Sequence, residues 1–129
     1  MNSLRLLLFL LLLPCLVLAQ TETLVFRSGA EGHATYRIPA IISLPNGDLL
    51  AFAEGRVNGS DDFGDVNLVL KRSQDQGLTW SGLETIMDYD SLQAGNPAPV
   101  VDLFDPNYPE GVVFLFYNCL LYTSDAADE

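Results

Sequence analysis

The sequence is poor in positive charge, in cysteine and histidine, and in helical periodicity, and each shortage closes off a class of function. Six lysines and arginines stand against seventeen aspartates and glutamates in 129 residues, a formal net charge of −11. A surface of that sign cannot replace the counterions of a phosphate backbone, so no nucleic-acid partner is expected. Recognition of an anionic ligand would have to be local, by placed arginines rather than by the overall field. The two cysteines, Cys15 and Cys119, sit near opposite ends, and His33 is the only histidine. That inventory supports neither a disulfide framework nor a cysteine metal site, and His33, in a glycine-flanked loop, is given no role. The one long hydrophobic run, Leu6 to Leu13, is shorter than the roughly 20 residues a membrane-spanning helix needs and is stopped by Pro14.

What is there begins with a leader. Residues 1–19 combine Arg5, the apolar run and the compact Val17-Leu18-Ala19, the pattern of a signal peptide cleaved before Gln20. Such a leader implies a secreted or periplasmic, extracytoplasmic protein with no stable membrane insertion after cleavage. Cys15 raises a lipoprotein alternative, against which Pro14 stands where a small residue would precede a lipidated cysteine. At the other end, residues 119–129 follow a strand-like stretch without turn chemistry and resemble the translation of a transposase adapter used in sequencing libraries. They are expected to be a non-native tail, which the nucleotide sequence past Asn118 would reveal. Both cysteines then fall outside residues 20–118.

Between the ends, short apolar or alternating stretches are separated by turn residues, the signature of an all-β chain. Thr23–Phe26 alternates and reads as a first strand. Tyr36–Leu44 reads as the next, followed by Pro45-Asn46-Gly47-Asp48 and the return strand Leu49–Ala53. Asn-Gly is a strong hairpin signal, and antiparallel pairing through it brings Arg37 and Arg56 to the same edge of the sheet. A polar loop, Val57–Asp65, leads into Val66–Lys71; a short strand is expected near Glu84–Met87. A loop over Asp88–Pro99 precedes Val100-Val101, and Val112–Tyr117 forms the last strand. Between these, Ser73-Gln74-Asp75-Gln76-Gly77-Leu78-Thr79-Trp80 fits S-x-D-x-G-x-T-W at every fixed position, the pattern called an Asp box. Its logic is a β-turn locked by its own side chains: Asp75 accepts backbone N–H bonds, Gly77 supplies the permissive conformation, and Trp80 packs beneath. Ser73, Asp75, Gly77, Thr79 and Trp80 are therefore read as structural.

Tyr36-Arg37-Ile38-Pro39, Ala51-Phe52-Ala53-Glu54-Gly55-Arg56, the aspartate loop and the Asp box stand in the order and spacing of bacterial-type exo-sialidases, and residues 20–118 resemble the first part of one. The resemblance implies a six-bladed β-propeller, of which this chain would hold about the first blade and the start of the second. By that likeness Arg37 is the first of three arginines that clamp the sialic acid carboxylate, and its planar fork of donors suits the task. Arg56 would lie beside the sugar and also help hold the catalytic aspartate charged or correctly pointed. Asp62, chosen over Asp61 by counting back from the Asp box, would be the acid/base that protonates the glycosidic oxygen and later activates water. Asn96 would touch the sugar ring.

The resemblance further implies hydrolysis of terminal α-sialic acid from glycoproteins, glycolipids or oligosaccharides with retention, by a tyrosine nucleophile lying beyond Asn118 and with no cofactor or metal. A sialylated glycoconjugate is thus the expected partner. The alternatives are a non-catalytic propeller that binds sialylated glycans and a hydrolase for a related nonulosonic acid. The leader carries its own test: the secreted product should begin at Gln20, read by intact mass or N-terminal sequencing, and a product retaining residues 1–19 would contradict the cleavage.

Overall fold

A computed structural model describes residues 22–120; the leader, its cleavage point before Gln20, and the tail past Leu120 lie outside the described residues. Six strands and no helix occur among those described: β1 (Thr35–Ser43), β2 (Leu49–Arg56), β3 (Val66–Ser73), β4 (Glu84–Met87), β5 (Gln93–Asp102) and β6 (Val112–Leu120). They form one sheet in the order β1-β2-β3-β5-β6, with β4 also paired to β3. All pairings are antiparallel except β3 with β5, which meet in parallel at Val66 and Gln93 alone. The sheet is open among the described residues, and Ile41 on β1 with Phe114 and Phe116 on β6 leave large apolar side chains exposed at its two flanks.

The core lies along β2, β3 and the start of β5: Ala51, Phe52, Ala53, Val66, Leu68, Val69 and Ala94 are all buried. Strand β2 is buried on both faces over its last six residues, which explains its run of alanines and glycine, since small side chains let cover approach from either side. On one face Gly55 meets the ring of His33, where a Cβ would stand 2.5 Å from Cδ2. His33 is held there by Nδ1, 3.0 Å from the Glu31 carbonyl oxygen and 3.3 Å from the Tyr36 hydroxyl, while Nε2 is buried without a partner. Lys71 closes the same side, 2.7 Å from Glu31 Oε2 and 5.8 Å from the centroid of the Phe26 ring.

The hairpin between β1 and β2 forms where Asn46-Gly47 calls for it, with Leu44 to Asp48 between the paired Ser43 and Leu49. Gly47 alone takes the left-handed conformation (φ 89°), while Asn46 Oδ1 accepts the Asp48 N–H at 3.1 Å. The Asp48 carboxylate in turn accepts from Arg72 of β3, and that hydrogen bond holds its pKa below the usual carboxylate range. At the same end of the sheet the Ser73–Trp80 turn closes on its own side chains. Asp75 accepts from the Thr79 N–H (2.8 Å) and hydroxyl (2.5 Å), Ser73 Oγ donates to Asp75 (2.9 Å) and accepts from the Gly77 N–H (2.8 Å), and Trp80 Nε1 donates to the Gly77 carbonyl (3.2 Å). Hydrogen bonds from the Thr79 hydroxyl and N–H hold the Asp75 carboxyl below the usual carboxylate range.

Two strands carry the same irregularity. Register slips between Arg37 and Ala40 in β1 and between Gly95 and Ala98 in β5, and in each slip a proline, Pro39 or Pro97, follows a residue with positive φ: Ile38 at 50° and Asn96 at 55°. A left-handed β-branched residue is strained, and the Ile38 bulge places that strain directly beside Arg37, where a bulge can re-aim a side chain.

Three sequence expectations are corrected. Thr23–Phe26 is not a strand; alternation marks two faces but not a neighbour to pair with, and the segment is instead held by Phe26 stacking on Tyr36 (centroids 5.3 Å). The expected loop up to Pro99 becomes strand from Gln93 onward, because Gly95 and Pro97, residues that ordinarily punctuate loops, are absorbed in the bulge. Strand β6 also outruns Tyr117, with an exposed Cys119 paired to Ala94.

The tight approach at Gly55 sets a stability test: Gly55→Ala should cost about 1–3 kcal/mol through overpacking. Adding His33→Ala, which removes the ring it strikes, should restore part of that loss in urea titrations; additive penalties would contradict the contact.

Candidate active site

The site forms at the end of the sheet opposite the Ser73–Trp80 turn, where β1 and β2 place Arg37 across from Glu54 and Thr35 across from Arg56. In β2, Phe52, Glu54 and Arg56 share one face, because side chains alternate along a strand. Glu54 and Arg56 are therefore side by side, and both are buried, with 1% and 4% of their side chains exposed. Arg56 Nε and Nη2 both donate to Glu54 Oε2, at 3.2 and 2.7 Å. Its remaining arm, Nη1, donates to the Ser60 carbonyl (2.5 Å) and to Asp62 Oδ1 (2.9 Å). The same Asp62 oxygen accepts from Arg37 Nη1, also at 2.9 Å.

Burial grades sharply across this chain of charges. Arg37 and Asp62 are 46% and 67% exposed, so both can meet a ligand. Arg56 is buried, and its hydrogen bonds go to Glu54, Ser60 and Asp62. Burial alone would lower the pKa of the Arg56 guanidinium, but the hydrogen bonds it donates to Glu54 and Asp62 outweigh it and raise it, so the group stays charged. The two ion pairs also differ in strength. An exposed pair such as Arg37–Asp62 contributes only about 0–1 kcal/mol, and an arriving carboxylate can displace it. The buried Glu54–Arg56 pair is a fixed element, because removing either partner strands a charge.

The fourth expected residue, Asn96, joins the cluster by its backbone. Its N–H donates to Glu54 Oε1 at 2.9 Å, and its side-chain amide donates to Asn118 Oδ1 at 3.0 Å. Gly95 makes room for this approach: a Cβ there would lie 2.7 Å from Glu54 Oε1 and 2.8 Å from Gln93 Nε2. Asp61 has a different setting, a recess of about 50 Å³ shared with Asn58 and Phe63. A second recess, about 250 Å³, runs beside Arg37 under Tyr36 and Phe26. Neither reaches the roughly 300–1,000 Å³ of a complete small-molecule pocket, so among the described residues the site is an open wall rather than a cleft.

Arg37, Arg56, Asp62 and Asn96 thus converge, while Ser73, Asp75, Gly77, Thr79 and Trp80 lie at the far end of the β2–β3 ladder, where Ser73 pairs with Leu49 and Val66 with Arg56. Sequence reasoning passed over Glu54, Gly95 and Asn118. The available signal for Glu54 was an acid two residues before a base in an otherwise apolar strand, which puts both on one face.

The arrangement, an arginine and a carboxylate exposed side by side and backed by a buried ion pair, is that of a site for an anionic ligand with an acid at hand. Comparisons with known proteins carry the class further. The chain is 37% identical over 103 residues to an exo-alpha-sialidase of Aspergillus fumigatus, a match covering 75% of this chain and 24% of that protein. It is 36% identical over 102 residues to a sialidase of Micromonospora viridifaciens (75% of this chain, 15% of that protein) and 34% identical over 101 residues to human Sialidase-3 (74% and 22%). Among solved structures, the Hadza microbial sialidase Hz136 superposes with a TM-score of 0.53 at 28% identity, over 57% of this chain and 16% of that one. No protein-family model matches. Over the stretch these alignments span, the chain is a member of the sialidase family, and it spans a quarter or less of the length of the curated relatives named here.

The buried pair predicts an asymmetric mutational response. Arg56→Met leaves Glu54 charged and unpaired in the core and should cost about 3–5 kcal/mol, whereas Arg37→Met should change stability by less than about 1 kcal/mol. Urea midpoints for the two variants measure the difference, and equal effects would contradict it.

Proposed function

We propose that this chain forms the opening part of a six-bladed sialidase propeller, and that a protein carrying it at the full length of its relatives hydrolyses terminal α-sialic acid from glycoproteins, glycolipids or oligosaccharides. The observation that carries the reading is the single Asp62 oxygen shared by Arg37 and Arg56 at 2.9 Å each. In this reading Arg37 is one finger of a carboxylate clamp: its guanidinium is half exposed, permanently charged and shaped to grip two oxygens. Asp62, beside it, donates a proton to the departing glycosidic oxygen and then takes one from the attacking water, with retention of configuration through a tyrosine nucleophile. Arg56 acts from behind, fixing Asp62 rather than touching sugar, and Asn96 offers its exposed side chain near the ring. The nucleophile and the other clamp arginines belong to sequence beyond Asn118. Export through the leader, giving a secreted or extracytoplasmic enzyme, completes the proposal.

The test uses the protein at full relative length and sialyllactose, whose sugar leaving group needs an acid. Wild type should turn over, and Asp62→Asn should lose about 10²–10⁴-fold in rate. An unchanged rate in that variant removes Asp62 from the mechanism, and glycan binding without turnover by wild type would favour the non-catalytic propeller. The 129-residue chain by itself should show no hydrolysis; turnover by it would overturn the need for downstream residues.

A further inference from the structure

We infer that Glu54 is a positioning residue for catalysis: its buried carboxylate sets the aim of Arg56, and through Arg56 the place of the Asp62 carboxylate, while its second oxygen fixes the strained β5 backbone at Asn96. The inference deepens the proposed function and rests on Asp62 being the acid. Three observations carry it. Oε2 takes two of the three nitrogens of the Arg56 guanidinium, at 3.2 and 2.7 Å, leaving only Nη1 to reach the loop and Asp62. Oε1 accepts the Asn96 N–H at 2.9 Å, at a residue with φ 55° inside a bulge. And Gly95 leaves no room for a side chain, since a Cβ would come within 2.7 Å of Oε1.

The geometry works as a lever with one free end. A guanidinium is planar and rigid, so gripping its Nε and Nη2 determines where Nη1 points. Nη1 meets both the Ser60 carbonyl and Asp62, which locks the start of the 57–65 loop and the carboxylate that loop carries. Glu54 itself is 1% exposed. It cannot touch substrate, and any effect of changing it on chemistry must travel through Arg56 or through Asn96. Those two routes join β2 to the loop and to β5, so one carboxylate coordinates three separate segments of the wall.

A distinctive kinetic signature follows from the role of Asp62. An acid that protonates the leaving oxygen matters most when the leaving group is a sugar alcohol, a poor leaving group, and least when it is a stabilised phenolate. Misplacing Asp62 should therefore slow the two substrates unequally. A merely structural lesion lowers the folded fraction and slows both alike.

The experiment measures kcat and KM of full-length wild type, Glu54→Gln and Gly95→Ala on sialyllactose and on an aryl sialoside. Glu54→Gln keeps the shape of the side chain but replaces one acceptor oxygen by a donor and removes the buried counter-charge of Arg56, leaving only the exposed Asp62. We expect kcat on sialyllactose to fall on the order of 100-fold, with KM changing less, as for a small displacement of a reacting group. On the aryl sialoside the loss should be at least about tenfold smaller, the same bias expected of Asp62→Asn. Gly95→Ala, which pushes on Oε1 from the other side, should shift the substrate ratio in the same direction, and it carries the test if Glu54→Gln does not fold. Equal losses on both substrates, or none, in a folded variant overturn the positioning role. Wild type that turns over neither sialoside would instead remove the proposed function, a separate failure.

Discussion

A carboxylate and a guanidinium buried together, Glu54 and Arg56, are the constraint on which the working end of this sheet depends. Taking two charges out of water is expensive, and the pair is tolerable only because nearly every lone pair and proton is used. Oε1 goes to the Asn96 backbone, Oε2 to the arginine fork, and Nη1 to Ser60 and Asp62. Such a network is rigid because each member is satisfied only in one arrangement. The exposed pair built on top of it, Arg37 with Asp62, can exchange partners cheaply while its foundation stays still.

The sheet supplies the conditions for that network. Strand β2 runs between β1 and β3 and is covered on both faces, so Glu54 and Arg56 are shielded by Leu68 and Val66, their direct partners on β3. The bulge at Ile38-Pro39 turns Arg37 while keeping Ala40 to Ser43 in register with the return strand, and the bulge at Asn96-Pro97 does the corresponding job in β5. At Asn96 the strained φ is held by hydrogen bonds to Glu54 on β2 and Asn118 on β6. Strain of this kind concentrates where a side chain or a backbone group must be presented at a particular angle.

Much of this was legible in the residues. The strands Glu84–Met87 and Leu49 onward follow from apolar stretches bounded by turn residues, and Asn46-Gly47 announced the hairpin that brings Arg37 and Arg56 to one end. Asp62, chosen from spacing over Asp61, meets both arginines, while Asp61 lines a separate recess. What was not legible has physical causes. Positive φ at Ile38 contradicts the local preference of a β-branched residue, and only the assembled sheet enforces it. Thr23–Phe26 has the alternation of a strand without a ladder, because pairing is a property of neighbours rather than of the segment. Glu54 was hidden by a general rule that carboxylates face water, whose exceptions are paired charges. Arg56, expected beside the sugar and as a holder of the aspartate, is buried and hydrogen-bonded to Asp62, a burial that its position at a strand end did not announce.

The completeness of Arg56's hydrogen bonding has a consequence in entropy. A free arginine side chain carries about 2 kcal/mol of rotamer freedom, which a binding site must forfeit when a ligand immobilises it. Here that freedom is already lost when the chain folds, with the guanidinium gripped from three sides. Within this part of the wall, then, the ordering cost of Arg56 is met by folding, and Arg37 is the arginine of the cluster that remains half exposed.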